Sequence, residues 1–119
     1  MKCRWFALSA AVVIVFSIPL FALHAGSAYD KDHAVTLTGT VTDYIFTNPH
    51  VQIHFEVKDA NGNVEQWVAE TASPQRLFRS GWNAKTLKAG DQITVVGAPS
   101  KDSRKFISIV KLTGAMRQC

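Results

Sequence analysis

Val51-Gln52-Ile53-His54-Phe55-Glu56-Val57-Lys58, then Asp59-Ala60-Asn61-Gly62-Asn63, then Val64-Glu65-Gln66-Trp67-Val68-Ala69-Glu70 is the stretch that decides the fold. Val51, Ile53, Phe55 and Val57 alternate with Gln52, His54, Glu56 and Lys58, the period-two pattern of a half-buried strand. Asp59 to Gly62 is a strong turn, and a second strand runs from Val64 to Thr71. Two hairpin registers compete. A two-residue Asn61-Gly62 turn sets Trp67 against Glu56 and turns the indole to solvent. A three-residue Ala60-Asn61-Gly62 loop, with Gly62 in the left-handed region, sets Asp59 opposite Asn63, Phe55 opposite Trp67 and Ile53 opposite Ala69. Burying an indole outweighs exposing it, so the three-residue loop is expected. It leaves His50, Gln52, His54, Glu56, Gln66 and Glu70 on the outer face.

Upstream, Val35, Leu37, Gly39, Val41 and Ile45 alternate with Thr36, Thr38, Thr40 and Thr42, another half-buried strand. Gly39 within it suggests a bulge or bend where the sheet curls. Thr47-Asn48-Pro49 breaks the run. Downstream, Ser73-Pro74 starts a short helix that carries Leu77 and Phe78 and stops at Gly81. Lys88-Ala89-Gly90-Asp91 turns into a fourth strand, Gln92 to Gly97, and a polar loop from Ala98 to Arg104 leads to a fifth, Lys105 to Leu112. Three strands, a helix and two strands give an all-β class with one short helix. The order is that of a small five-stranded OB-like barrel. An open antiparallel sheet carrying one helix is the competing topology.

Residues 1–28 read as a signal peptide: Lys2 and Arg4, an uncharged run of 18 residues from Phe6 to Leu23, then small residues at Gly26-Ser27-Ala28. Cleavage after Ala28, cleavage after Ala25 and retention as an anchor are the three outcomes considered. The run is slightly shorter than the roughly 20 residues a membrane span needs. A polar lead-in (29–34), one domain (35–113) and a tail (114–119) complete the expected organisation. The chain of 119 residues carries a formal +4. Losing Lys2 and Arg4 with the leader halves that, and no case for a polyanion partner remains. Cys119 is the one cysteine beyond the leader, so no internal disulfide is expected and Cys119 reads as a tail residue. Periplasmic or secreted localisation follows, with no stable membrane association after cleavage.

On an OB-like barrel, ligands meet the outer face of the second and third strands and the flanking loops. The candidate ligand-binding residues there are Asn48, His50, His54 and Glu70, with Lys101 and Arg104 from the loop before the last strand. His50 and His54, four residues apart on one strand, are about 13 Å apart and cannot share one metal ion. A metal site would have to recruit His50, His33 and Glu70, copper or zinc being the candidates. Nucleophile elbow, phosphate loop and Cys-x-x-Cys are absent, so the chain reads as a non-enzyme needing no cofactor. Nucleic acid is excluded on two grounds: export, and the lack of an aromatic stacking platform on the outer face.

The residues Val35-Thr36-Leu37-Thr38-Gly39-Thr40-Val41, Thr47-Asn48-Pro49-His50, Trp67-Val68-Ala69-Glu70, Ser73-Pro74, Arg79-Ser80-Gly81-Trp82 and Leu87-Lys88-Ala89-Gly90-Asp91 resemble a bacterial exported group, domain-of-unknown-function family 6152. The resemblance spans residues 29–113. It implies a signal peptide and one small β-rich domain, with no established activity, substrate or cofactor. Where members often carry adjacent histidines followed by Ser, this chain has His24-Ala25-Gly26-Ser27. If the family binds metal through that pair, the ability is lost here, while Asn48-Pro49-His50 and Glu70 match. The expected function is a non-catalytic periplasmic binding or accessory module for a small ligand or an envelope protein. The alternatives are metal handling, and docking on an envelope partner through a sheet edge.

Overall fold

The computed structural model describes residues 28–114, so all of the expected leader except Ala28, and tail residues 115–119, lie outside it. Five strands, β1 (Val35–Ile45), β2 (Gln52–Lys58), β3 (Val64–Glu70), β4 (Gln92–Pro99) and β5 (Phe106–Gly114), and one helix, α1 (Pro74–Arg79), follow the expected order. The strands close into a barrel in the order β1-β2-β3-β5-β4, which rules out the open sheet. β1 closes it by pairing with β4 through Val35–Thr40 and with β2 through Thr40–Ile45. All neighbours are antiparallel except β3 and β5, whose parallel seam is only three residue pairs long. Val41, Ile53, Phe55, Val57, Ala69, Leu87, Ile93, Val95 and Ile107 fill the interior, flanked by Tyr44, Trp67 and Trp82.

The β2–β3 hairpin has the expected register, with Phe55 opposite Trp67 and Ile53 opposite Ala69. Gly62 has φ +81°, a left-handed value suited to glycine. The Asp59 carboxylate accepts from the Asn61 and Asn63 amides at 2.8 and 3.0 Å, tying the loop to its own first residue. α1 starts as read: the Ser73 hydroxyl accepts from the Arg76 amide at 3.3 Å, with Pro74 in the first helical position. It ends in a Schellman arrangement, Gly81 N–H donating to Phe78 O and Trp82 N–H to Leu77 O. That turn lays Trp82 against the core, where it joins the helix to the barrel.

Three expectations are corrected. The irregularity in β1 falls at Thr42, between Val41 and Asp43, rather than at Gly39. Gly39 instead marks a close approach of β1 to β2, because a Cβ there would run into the Glu56 carbonyl. The fourth and fifth strands extend to Pro99 and Gly114, past Gly97 and Leu112, so the loop before β5 is shorter than read. The lead-in is not a loose polar segment at its start: Tyr29 is half-buried and bridges to Ser100, with Asp30 N–H donating to Pro99 O at 2.8 Å.

Candidate ligand-binding face

The strand registers align outward-facing residues in straight rows across the barrel. One row runs Ser108, Glu70, Gln52, Ile45 through β5, β3, β2 and β1, and ends on β4 at the buried Ala98. The next runs Phe106, Val68, His54, Asp43. Because side chains alternate along each strand, these residues lie on the side of the sheet away from Ile107, Ala69 and Ile53, which stand between the two rows and fill the core.

Glu70 sits at the centre. Tyr29 Oη donates to Glu70 Oε2 at 2.6 Å, across 41 residues of sequence. Gln52 Nε2 donates to Glu70 Oε1 at 2.9 Å, and His54 Nε2 lies 3.4 Å from Gln52 Oε1. His54 and Glu70 are thus linked through Gln52. His54 pairs across the ladder with Val68.

The remaining candidates are only partly assembled. Asn48 and His50 are exposed in the loop between β1 and β2. That loop is brought to the face by Val51, which exchanges two backbone hydrogen bonds with Thr71 and Ala72. Lys101 is exposed and takes part through its backbone, donating to Ala28 O at 3.0 Å. Arg104 is held by Asp102 at 2.8 Å, and its guanidinium lies 5.1 Å from the centroid of the Phe106 ring. Asp102 in turn is kept below the usual carboxylate range, first by the Ser100 hydroxyl and then by the Arg104 amide.

His33 is drawn to Asp30, at 2.8 Å, rather than to His50. Its hydrogen bond is the main reason Asp30 titrates lower than usual. Glu70 is engaged by Tyr29 and Gln52, so His50, His33 and Glu70 do not form a ligand set. Among the described residues no three His, Cys, Asp or Glu side chains gather in a metal-binding arrangement.

Sequence reasoning missed Tyr29, Phe106 and Ser108. The alternation of Phe106 and Ser108 with Ile107 and Ile109 carried the signal for two of them. For Tyr29 no local signal exists. Arg76 and Ser108 line a groove of about 390 Å³ between α1 and β5, which opens beside Glu70 and Thr71.

The chain's two tyrosines report on this packing. Burial, then the bond to Glu70, pushes the Tyr29 phenol well above its ordinary value. Burial pushes Tyr44, whose hydroxyl donates to Asn83 O at 2.8 Å, up to about 12. Folding thus favours both neutral phenols. Their contribution to stability is complete below the ordinary value of 10.0 and is lost as pH rises through the folded value. Phenolate absorbance followed against pH should show both tyrosines ionising above 10.0, and urea midpoints should be unaffected by these groups until that pH and fall beyond it. A tyrosine that ionises normally and disappears in Tyr29→Phe would mean the contact with Glu70 does not form.

The family of unknown function DUF6152 matches residues 11–107. The chain belongs to this family. No curated protein matches the chain. Among solved structures, this DUF6152 barrel resembles Rim1, a mitochondrial single-stranded DNA-binding protein from S. cerevisiae. The TM-score is 0.50 at 8% identity, covering 71% of this chain and 95% of that one. It also resembles a small single-stranded DNA-binding protein from Streptomyces coelicolor, with TM-score 0.50 at 17% identity, covering 69% and 91%. Likeness at these identities establishes an OB fold.

It also overturns one expectation. Nucleic acid was excluded as a partner, yet both of these similar barrels are single-stranded DNA-binding proteins. The stacking argument fails as well, since Phe106, with Arg104 beside its ring, stands on the outer face that was read as lacking aromatics.

Proposed function

We propose that this chain is an exported, non-catalytic binding module that holds its ligand on the outer face of β2, β3 and β5, beside Tyr29. The observation that carries the reading is the directly opposed row Ser108–Glu70–Gln52. It crosses three strands, and Tyr29 of the lead-in is drawn over it by a 2.6 Å hydrogen bond. Both loops that border the ligand face of an OB barrel converge there, one through Val51 and the other through residues 99–101.

A binding role suits this chemistry better than catalysis. His54 and Glu70 communicate only through Gln52, so these two do not form an acid–base pair at proton-transfer distance. Export is supported by the basic start, apolar run and small-residue exit of residues 1–28.

The test is an amide-shift titration of the isotopically labelled protein, purified in the form an expressing bacterium produces. The probes are oligosaccharides, an oligothymidylate, and Cu(II) and Zn(II). Saturable shifts should cluster on Gln52, His54, Val68, Glu70 and Ser108. Shifts confined to the opposite side of the barrel would remove the reading. Saturable metal binding abolished by His50→Ala would replace it with metal handling.

A further inference from the structure

The groove between α1 and β5 begins at Glu70, the residue at the centre of the face, and runs past Ser108 and Thr71 to Arg76. Its volume of about 390 Å³ falls within the range of small-ligand sites, roughly 300–1,000 Å³. Leu77 and Ile109 give it an apolar floor, and the four residues named above give it polar walls.

Two opposite charges line this small space without pairing with each other. Glu70 spends one hydrogen bond on each oxygen, to Tyr29 and to Gln52. A carboxylate offers about four acceptor positions, so roughly two remain. Arg76 uses its backbone amide to complete the Ser73 cap. Its guanidinium forms no ion pair among the described residues. Five N–H donors in a planar fork thus remain without an ion-pair partner on a residue lining the groove, and such a fork matches a carboxylate.

A ligand that satisfies both ends must present a carboxylate to Arg76 and hydroxyl donors to Glu70. It must also have a flat apolar patch for Leu77 and Ile109. A sugar acid offers all three on one ring. Beyond Glu70 the row continues through Gln52 and His54, amide and imidazole groups that suit the hydroxyls of adjoining sugars.

We propose that this groove binds the sugar-acid unit of an acidic oligosaccharide, Arg76 taking its carboxylate and Glu70 its hydroxyls. The proposal rests on the binding-face reading above and names the ligand class for that face.

Calorimetric and amide-shift titrations of the protein as the cell processes it, with tetragalacturonate, maltotetraose and a ten-residue oligothymidylate, test it. Tetragalacturonate should bind more tightly than maltotetraose. Arg76→Gln should weaken it about tenfold or more, the scale of a lost charge-assisted pair. Glu70→Gln should weaken both sugars. Arg76 is exposed and its side chain supports no contact of the fold, so that variant should keep the wild-type urea midpoint. Equal affinity for the two sugars, or tetragalacturonate binding untouched by Arg76→Gln, would overturn the proposal. Binding of maltotetraose or oligothymidylate alone on the β2–β3–β5 face would overturn it while leaving the face reading intact. Silence from every probe would remove both.

Discussion

Phe55→Ala should lower the stability of the barrel by about 3–5 kcal/mol, the cost of emptying a fully buried aromatic site. Phe55 is wholly buried, lies opposite Val41 and Trp67, and heads the largest side chains in the core. The cavity cannot collapse easily, because closed strands on all sides hold their spacing through ladder hydrogen bonds. A domain of this length holds about 4–13 kcal/mol in total, so the variant should sit near the edge of folding. Urea unfolding followed by the fluorescence of Trp67 and Trp82, both packed against the core, measures the loss. Phe78→Ala is the matched control. That ring is 69% exposed on α1, and its removal should stay within about 0.5 kcal/mol. Similar losses from the two variants would mean that the interior is not centred on Phe55.

Gly39→Ala should destabilise by about 3 kcal/mol, the upper end of ordinary overpacking. Intrinsic preference points the other way, since alanine in a strand is favoured over glycine by about 0.5–1 kcal/mol. Geometry decides the sign. The added methyl would run into the Glu56 carbonyl and come within 3.1 Å of the Phe55 ring. Glu56 cannot retreat, because it is paired with Thr40 on one side and Gln66 on the other. Gly62→Ala makes the comparison informative: nothing lies within 4 Å of its Cβ, and only its φ of +81° opposes a side chain. That change should cost about 1–2 kcal/mol, the penalty of the left-handed region. A neutral Gly39→Ala would mean that β1 does not approach β2 as closely as this contact requires.

The hairpin was legible in the sequence because one large side chain had only one acceptable home. Placing Trp67 inside chose between two turn lengths, and every residue from Ile53 to Ala69 then followed by alternation. The helix was legible for a similar reason, since Ser73, Pro74 and Gly81 each satisfy a backbone requirement within a few residues. The candidate face was legible only on β2 and β3. Glu70 and His54 could be assigned to it, but Gln52 as the group between them depends on side-chain reach, which alternation does not specify.

What stayed hidden depends on pairings between distant segments. Tyr29 belongs to the site only because residues 28–30 add to the end of β4, a contact with no local pattern to announce it. Phe106 and Ser108 reach the face through the parallel seam with β3, and parallel pairing leaves no hairpin signature. Further along β5, Val110 is an extra residue between Ile109, opposite Gly97, and Lys111, opposite Val96. A one-residue insertion reverses which side chains face inward, so simple alternation fails from that point.

The three-pair seam between β3 and β5 also dictates when the molecule can become whole. Phe106, Ile107 and Ser108 provide the only strand that joins β3 to β4, and they are among the last residues of the domain to be synthesised. A ribosome-bound chain that ends before them holds a hairpin and unsatisfied edges, but no closed interior. Such a polypeptide remains an open chain until synthesis of the domain is nearly complete. Closure then has to bring together segments tens of residues apart, a slow class of event measured in milliseconds to seconds.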